Sequence, residues 1–218
     1  MKIITAANKK YDKFLKILES QSNKLNYDIE VYDLGDLGRG IPSYVTDESF
    51  IKTGNYCQVR GPWWSKALHK PIIVEKALNQ DPIVYMDADA FPVRRFDEIW
   101  DTEFDIAVTL RDTNENIQML SPINAGVVFF SPSAQEAVQE WRHFTNLMNN
   151  DQLALAKIIK NPKYNIKKLP AYIYNYYKFP EKPPNDVAIY HFKGDPCIRS
   201  CFDEVVAELP QLFPTYHN

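Results

Sequence analysis

"IVYMDADAFP", residues 83–92, runs four largely apolar residues straight into two aspartates one position apart. The apolar half reads as a buried strand, and a buried carboxylate is costly unless a positive group meets it. Side chains two apart in extended backbone point the same way, so Asp87 and Asp89 are expected to converge where the strand ends. Carboxylates without thiolates favour a hard divalent ion, magnesium or manganese, and such ions commonly bridge to phosphate oxygens. Strand carboxyl ends are also where open α/β sheets bind ligands. The pair suits a plainer role as well, with Asp87 capping a turn and Asp89 solvated.

Outward from this stretch, strand and helix patterns alternate. Residues 2–7, "KIITAA", read as a short buried strand, and Tyr11, Phe14, Leu15 and Leu18 then recur at helical spacing toward Leu25. "DIEVYDL" (28–34) alternates like a second strand, and residues 35–62, rich in Gly and Pro, read as a long loop of the functional or mobile kind. Pro71 is expected in the first turn of a helix running to about Asn79. Further strands are expected at 104–110, 125–131 and 187–192, and further helices at 133–148, from Asp151 onward, and from Cys197 onward. Asp151 reads as the N-cap or a first-turn residue of its helix. The alternation indicates an α/β fold, and with no repeat, low-complexity tract or boundary signal, residues 1–218 read as a single domain.

Composition narrows the function classes. Hydrophobic content of 45% and charged content of 24% are those of an ordinary soluble globular protein. A net charge of -3, from 25 basic and 28 acidic side chains, argues against a dedicated nucleic-acid binder; a nucleotide ligand needs only a local cluster. No apolar run nears the roughly 18 residues of a membrane span, and the N-terminal apolar segment is too short for a signal peptide. Cys57, Cys197 and Cys201 are odd in number and lack scaffold-like spacing, which points to free thiols in a cytoplasmic setting. A zinc site from Cys197, Cys201 and His191 lacks a fourth ligand at suitable spacing.

Three other readings of the aspartate pair weaken on inspection. A haloacid-dehalogenase phosphatase needs Thr or Val where Phe91 stands, and an EF-hand needs ligands where Phe91 and Pro92 intervene. A dinucleotide fold places a glycine-rich turn after the first strand, and "TAANKKY" has no glycine.

"YMDADAFP" resembles the D-x-D signature of metal-dependent glycosyltransferases with the GT-A fold. Four more stretches fit in order: "AANKKY" (6–11) is similar to the nucleotide-binding turn of glycosyltransferase family 8 and its relatives, "INAGVVFF" (123–130) to their N-[AS]-G strand, "DQLAL" (151–155) to their D-Q helix start, and "HFKG" (191–194) to their H-x-x-G. The resemblance covers roughly residues 2–194 and implies a GT-A-like domain with a mixed, mostly parallel central sheet flanked by helices. It implies transfer of a sugar from a nucleoside-diphosphate sugar, UDP-sugar favoured, with Mn2+ or Mg2+, to a glycan, lipid or protein acceptor.

By the same resemblance Asp87, Asp89 and His191 would hold the metal that bridges the donor diphosphate. Asn8 and Tyr11 match positions that contact the base, and Lys70 a basic position that reaches donor and diphosphate. Asn124, Ala125 and Gly126 would lie under the donor sugar, with Asp151 and Gln152 as the catalytic pair flanking it from the other side. Gly194 would turn the chain past the diphosphate. Each has a plainer role open to it: His191 as a hydrogen-bonded core residue, Tyr11 as the first core residue of its helix, Lys70 as a surface lysine, Asp151 as a cap.

Family 8 members usually continue into a K-P-W-like stretch whose lysine grips the diphosphate; here "GDPCIRS" follows, with Cys197 at that place and Lys193 or Arg199 as substitutes. The aromatic run "AYIYNYYKFP" (171–180) reads as a strand presenting Tyr172, Tyr174 and Tyr176 on one face, either to an acceptor sugar or to the core. Two rival functions stay in view. One is a GT-A-shaped protein that only holds nucleotide or glycan; the other is a sugar-nucleotide nucleotidyltransferase, whose glycine-rich basic loop is not seen after the first strand.

Overall fold

The computed structural model describes residues 1–7, 11–33, 62–110, 123–148, 150–177 and 184–192, with side chains from residue 69 onward in the segment that starts at 62. Strand β1 (Lys2–Ala7), helix α1 (Asp12–Lys24) and strand β2 (Asp28–Asp33) come first, and α2 (Pro62–Ala77) leads into β3 (Ile83–Met86) and the short β4 (Ala90–Pro92). Then come β5 (Ile106–Leu110), β6 (Ile123–Phe130), α3 (Gln135–Met148), α4 (Asp151–Ile158), β7 (Ile166–Pro170), the single turn α5 (Ala171–Tyr174) and β8 (Ile189–His191).

Six strands form one sheet in the order β2-β1-β3-β6-β5-β7. β1 pairs parallel with β2 and β3, β5 parallel with β7, and β6 runs antiparallel to both β3 and β5. The sheet is therefore mixed and mostly parallel. Helices cover both faces, which is why its central strands are apolar on both. Val84 and Met86 of β3 pack with Ile3, Val127 and Phe129 against Ile17 and Leu18 of α1. Ile83 and Tyr85 face the other way, among Ile73 and Val74 of α2, Val138 and Trp141 of α3 and Leu155 of α4. Burying each large apolar side chain contributes about 1.5–3 kcal/mol. These two half-cores leave the carboxyl ends of β1 and β3 side by side at one edge of the sheet, since Ile4 pairs with Tyr85.

Three expectations need correction. α2 does not start at Pro71 but contains it. A proline inside a helix loses one backbone hydrogen bond and crowds the preceding turn, at about 3 kcal/mol. Ile72, Ile73 and Val74 directly after it are all buried, and that burial carries the helix through. Lys70 thus stands in the body of a helix, not at its start. Residues 171–177 are not an alternating strand: Ala171–Tyr174 make one helical turn, after which Tyr176 forms a bridge to Tyr190. Tyr174 and Tyr176 are buried and Tyr172 is exposed, so the three do not share a face. Finally, β4 and β7 were not expected. β7, "IKKLP", is an edge strand whose lysines mask its apolar pattern and blunt the edge against further pairing.

Residues 34–61, the cysteines and the expected closing helix lie outside the described residues, as do the side chains of Trp63 and Trp64. Among the described residues no helix is long and apolar enough to cross a membrane.

Candidate functional site

β3 ends at Met86 and the chain turns at once, with the Ala90 N–H donating to the Asp87 carbonyl at 2.8 Å. Asp87 and Asp89 do converge, but through this turn and not by alternation along a continuing strand. β4 then pairs antiparallel with β8, setting Ala90 opposite His191, and the Phe192 N–H donates to the Asp89 carbonyl at 2.9 Å. This register brings His191 from far along the chain to the two aspartates. His191 Nε2 lies 3.5 Å from Asp89 Oδ1 and 3.8 Å from Asp87 Oδ2. One ligand atom from each of the three residues fits within 4.8 Å of the others.

The start of β6 forms the floor. The Asp87 N–H donates to the Gly126 carbonyl at 2.7 Å, and the Gly126 N–H donates to Asn124 Oδ1 at 2.8 Å. Gln152 Oε1 accepts from the Ala125 N–H at 3.5 Å. A Cβ built on Gly126 would overlap His191 Cε1 and lie 2.7 Å from Asp87 Oδ2. The strand backbone here is open to any residue; what the site demands of Gly126 is space. The buried Asn124 Nδ2 has no hydrogen-bond partner among the described residues, and such an orphan in a native structure asks for a ligand or water.

Lys70 is the cation that answers the carboxylates from within the chain. Its Nζ sits 2.9 Å from Asp87 Oδ1, 3.6 Å from Asp151 Oδ2 and 3.4 Å from the Ala125 carbonyl. Burial alone would depress its pKa, but Asp87 and Asp151 outweigh that and hold it above the ordinary lysine value. Burial pushes the Asp151 carboxyl up, against the pull of Lys70 and with a further push from Asp87. The Tyr85 hydroxyl donates to Asp87 Oδ1 at 3.2 Å; burial first, then Asp87, raises its pKa well above the usual value, so it remains a donor.

Two contacts set the helices that carry these groups. Arg142 Nη1 of α3 meets Glu75 Oε2 of α2 at 2.7 Å, and the Trp141 indole N–H donates to the Asp151 carbonyl at 2.8 Å. Asn150, not Asp151, caps α4: its side chain accepts from the Leu153 N–H at 2.9 Å. Asp151 is the first-turn residue, which frees its carboxylate to face Lys70. Asn150→Ala should therefore cost about 1 kcal/mol in urea unfolding, the usual loss for such a cap. An unchanged midpoint would show that the cap lies elsewhere.

Of the residues singled out in the sequence, the structure brings together Lys70, Asp87, Asp89, Asn124, Ala125, Gly126, Asp151, Gln152 and His191. Tyr11 heads α1, beyond the carboxyl end of β1, with its ring 6.1 Å from that of Phe14. Asn8, Lys193 and Gly194 lie outside the described residues. Sequence reasoning missed Tyr85, Thr109 and Asn175. Tyr85 could have been noticed two residues before Asp87, and Asn175 is the one amide in an aromatic run, though no motif marks it; nothing in the sequence marks Thr109.

No protein-family model matches the sequence, and no curated protein matches it. Solved structures do match in fold. A glycosyltransferase involved in the glycosylation of the major capsid of PBCV-1 aligns with a TM-score of 0.61 at 14% identity, over 95% of this chain and 100% of that one. The glycosyltransferase GlyE of Streptococcus pneumoniae aligns at 0.60 and 13% identity over 99% of this chain, which spans 62% of GlyE. The galactosyltransferase LgtC, in complex with donor and acceptor sugar analogs, aligns at 0.52 and 14% identity over 95% of this chain and 96% of that one. At such identities the likeness is one of fold: this chain has the GT-A-like architecture of those glycosyltransferases.

Proposed function

We propose that the chain is a metal-dependent glycosyltransferase that moves a sugar from a nucleoside-diphosphate sugar, with UDP as the favoured carrier, to a glycan, lipid or protein acceptor. The observation that carries the reading is the Asp87, Asp89 and His191 cluster at the carboxyl edge of a GT-A-like sheet. Two carboxylates and one imidazole suit manganese, and magnesium accepts the carboxylates as well. Bound there, the ion would supply fixed positive charge to a departing diphosphate.

The chain's own groups divide the remaining work. Asp87, Asp89 and His191 hold the ion, and Tyr85 steadies Asp87 through its second oxygen. Lys70 adds a charge that stays in place because two carboxylates keep it protonated. Asn124 offers a sugar hydroxyl its amide N–H, which has no partner among the described residues, and Gly126 leaves the room. Asp151 and Gln152 flank that position at the head of α4, Asp151 as hydroxyl acceptor and Gln152 as a neutral dipole. Asn8 and Tyr11 are assigned to the base, Lys193 and Gly194 to the diphosphate. Residues 1–218 are taken as one such domain, working in the cytoplasm, where free cysteines stay reduced.

The purified chain, offered UDP-sugars with Mn2+ and no acceptor, should release UDP slowly, and a chelator should stop it. Binding of UDP with Mn2+ but no release from any donor would favour a protein that only holds the nucleotide. Neither binding nor release would end the reading.

A further inference from the structure

Beneath the three candidate ligands lies a buried polar chain that the proposed chemistry does not itself use. His191 Nδ1 is 2.8 Å from Asn175 Oδ1, and Asn175 Nδ2 donates to Thr109 Oγ1 at 2.7 Å. Asn175 and Thr109 are fully buried and His191 is 2% exposed. An amide and a hydroxyl in such a place cost free energy unless their pairing does something. Several local features serve to assemble it. α5 stops after one turn at Asn175, whose N–H donates to the Ala171 carbonyl at 2.9 Å. The next residue, Tyr176, locks onto β8 from both sides: its N–H donates to the Ile189 carbonyl at 2.9 Å and its carbonyl accepts from the His191 N–H at 2.8 Å. Thr109 sits where the β5–β6 register shifts, an irregularity of the kind that re-aims side chains beside sites.

We propose that Asn175 is a positioning residue that holds His191 in the Nδ1–H tautomer, so that its Nε2 lone pair faces Asp87 and Asp89. This rests on the metal reading above. Neutral imidazole carries its one N–H on either nitrogen, and only the nitrogen without it can bind a metal. With Asn175 Oδ1 accepting from Nδ1–H, Nε2 is left bare on the side where the aspartate oxygens lie 3.5 and 3.8 Å away. Thr109 contributes by accepting from the amide N–H, so that with the amide oxygen turned to the ring both ends of the amide are satisfied. Turned over, the amide would present N–H to Nδ1, put the ring proton on Nε2 and close the site. Outer partners of this kind typically change metal affinity 10–100-fold when removed.

The test uses Asn175→Leu, which fills the space without an acceptor, Asn175→Asp, which keeps only the acceptor, and Thr109→Val. Nitrogen-15 chemical shifts of the histidine rings in the metal-free protein, with His191 assigned by its absence from His191→Ala, report the tautomer directly. Mn2+ affinity is read by paramagnetic resonance. The wild type and Asn175→Asp should show Nδ1–H, with Asp within a few-fold of wild-type affinity. Asn175→Leu should lose that tautomer and bind Mn2+ roughly 10–100-fold more weakly, with Thr109→Val between. A bare Nδ1 in the wild type overturns the proposal. So does an Asn175→Leu protein with unchanged tautomer and affinity, or, should that variant not fold, a Thr109→Val protein with both unchanged. A wild type that shows Nδ1–H and ignores Mn2+ would retire the metal reading and leave the lock standing.

Discussion

Gly126→Ala should abolish metal-dependent nucleotide binding although it alters no proposed ligand. The added methyl would overlap His191 Cε1, stand 2.7 Å from Asp87 Oδ2 and touch Asn124 Oδ1 at 3.0 Å, so one carbon intrudes on three groups of the site. None of them yields easily. His191 is pinned through its backbone to Tyr176 and through its ring to Asn175. Gly126 itself is held by its carbonyl, which accepts from the Asp87 N–H. Relief therefore requires moving a strand or turning the imidazole away, and either one separates the ligand atoms. Overpacking of this kind costs about 1–3 kcal/mol of stability. A displacement near 1 Å in a positioned site costs on the order of 100-fold in function. Calorimetry with UDP and Mn2+ should show at least that loss, alongside a modestly lowered urea midpoint. Wild-type affinity in this variant would mean that the ion, if one binds, does not need His191 and Asp87 where the structure puts them.

Most of the sheet was legible because its strands are short apolar runs bounded by turn residues, and because helices at 12–24 and 135–148 keep a clean apolar spacing. What stayed hidden was set by tertiary pairing. β7 carries Lys167 and Lys168 on an edge, so its period-two signal is gone. The proline in α2 argues locally for a helix start and is overruled by the buried Ile72, Ile73 and Val74 around it. Tyr172, Tyr174 and Tyr176 alternate as a strand would, yet the chain closes a helical turn there and gains two backbone bonds to β8 after it.

The site divides in the same way. Asp87 and Asp89 were readable because they lie where an apolar run breaks at the end of a strand, whereas the Asn124–Gly126 stretch at the same end of the sheet was carried by motif resemblance. The adjacency of His191 was carried by motif resemblance alone, since it depends on the three-residue pairing of β4 with β8. Asn175 and Thr109 had no motif to announce them. Only the fold puts an amide from one segment and a hydroxyl from another behind the same imidazole.

Asp87→Asn and Asp89→Asn should both lose metal-dependent UDP binding, since each removes one of three ligand atoms that fit within a single coordination sphere. Their stabilities should differ. Asp87 is the nearer partner of Lys70, at 2.9 Å, and also accepts from Tyr85. Neutralising it leaves a mostly buried ammonium with Asp151, at 3.6 Å, as its remaining ion-pair partner among the described residues and Asp89 acting from farther away. Breaking a fully buried pair costs 3–5 kcal/mol; with the Asp87 side chain 28% exposed and Asp151 still present, about 1–3 kcal/mol is expected. Asp89 has His191 at 3.5 Å and acts on Lys70 only as a more distant charge, so its amide variant leaves the Lys70–Asp87 pair intact. Metal-free melts should show Asp87→Asn clearly below the wild-type midpoint and Asp89→Asn less affected. In both variants the upward shift that Mn2+ and UDP give the wild type should vanish. Equal destabilisation by the two changes would refute the division of labour in which Asp87 is the main anchor of Lys70. A surviving Mn2+ shift in both would remove the metal site itself.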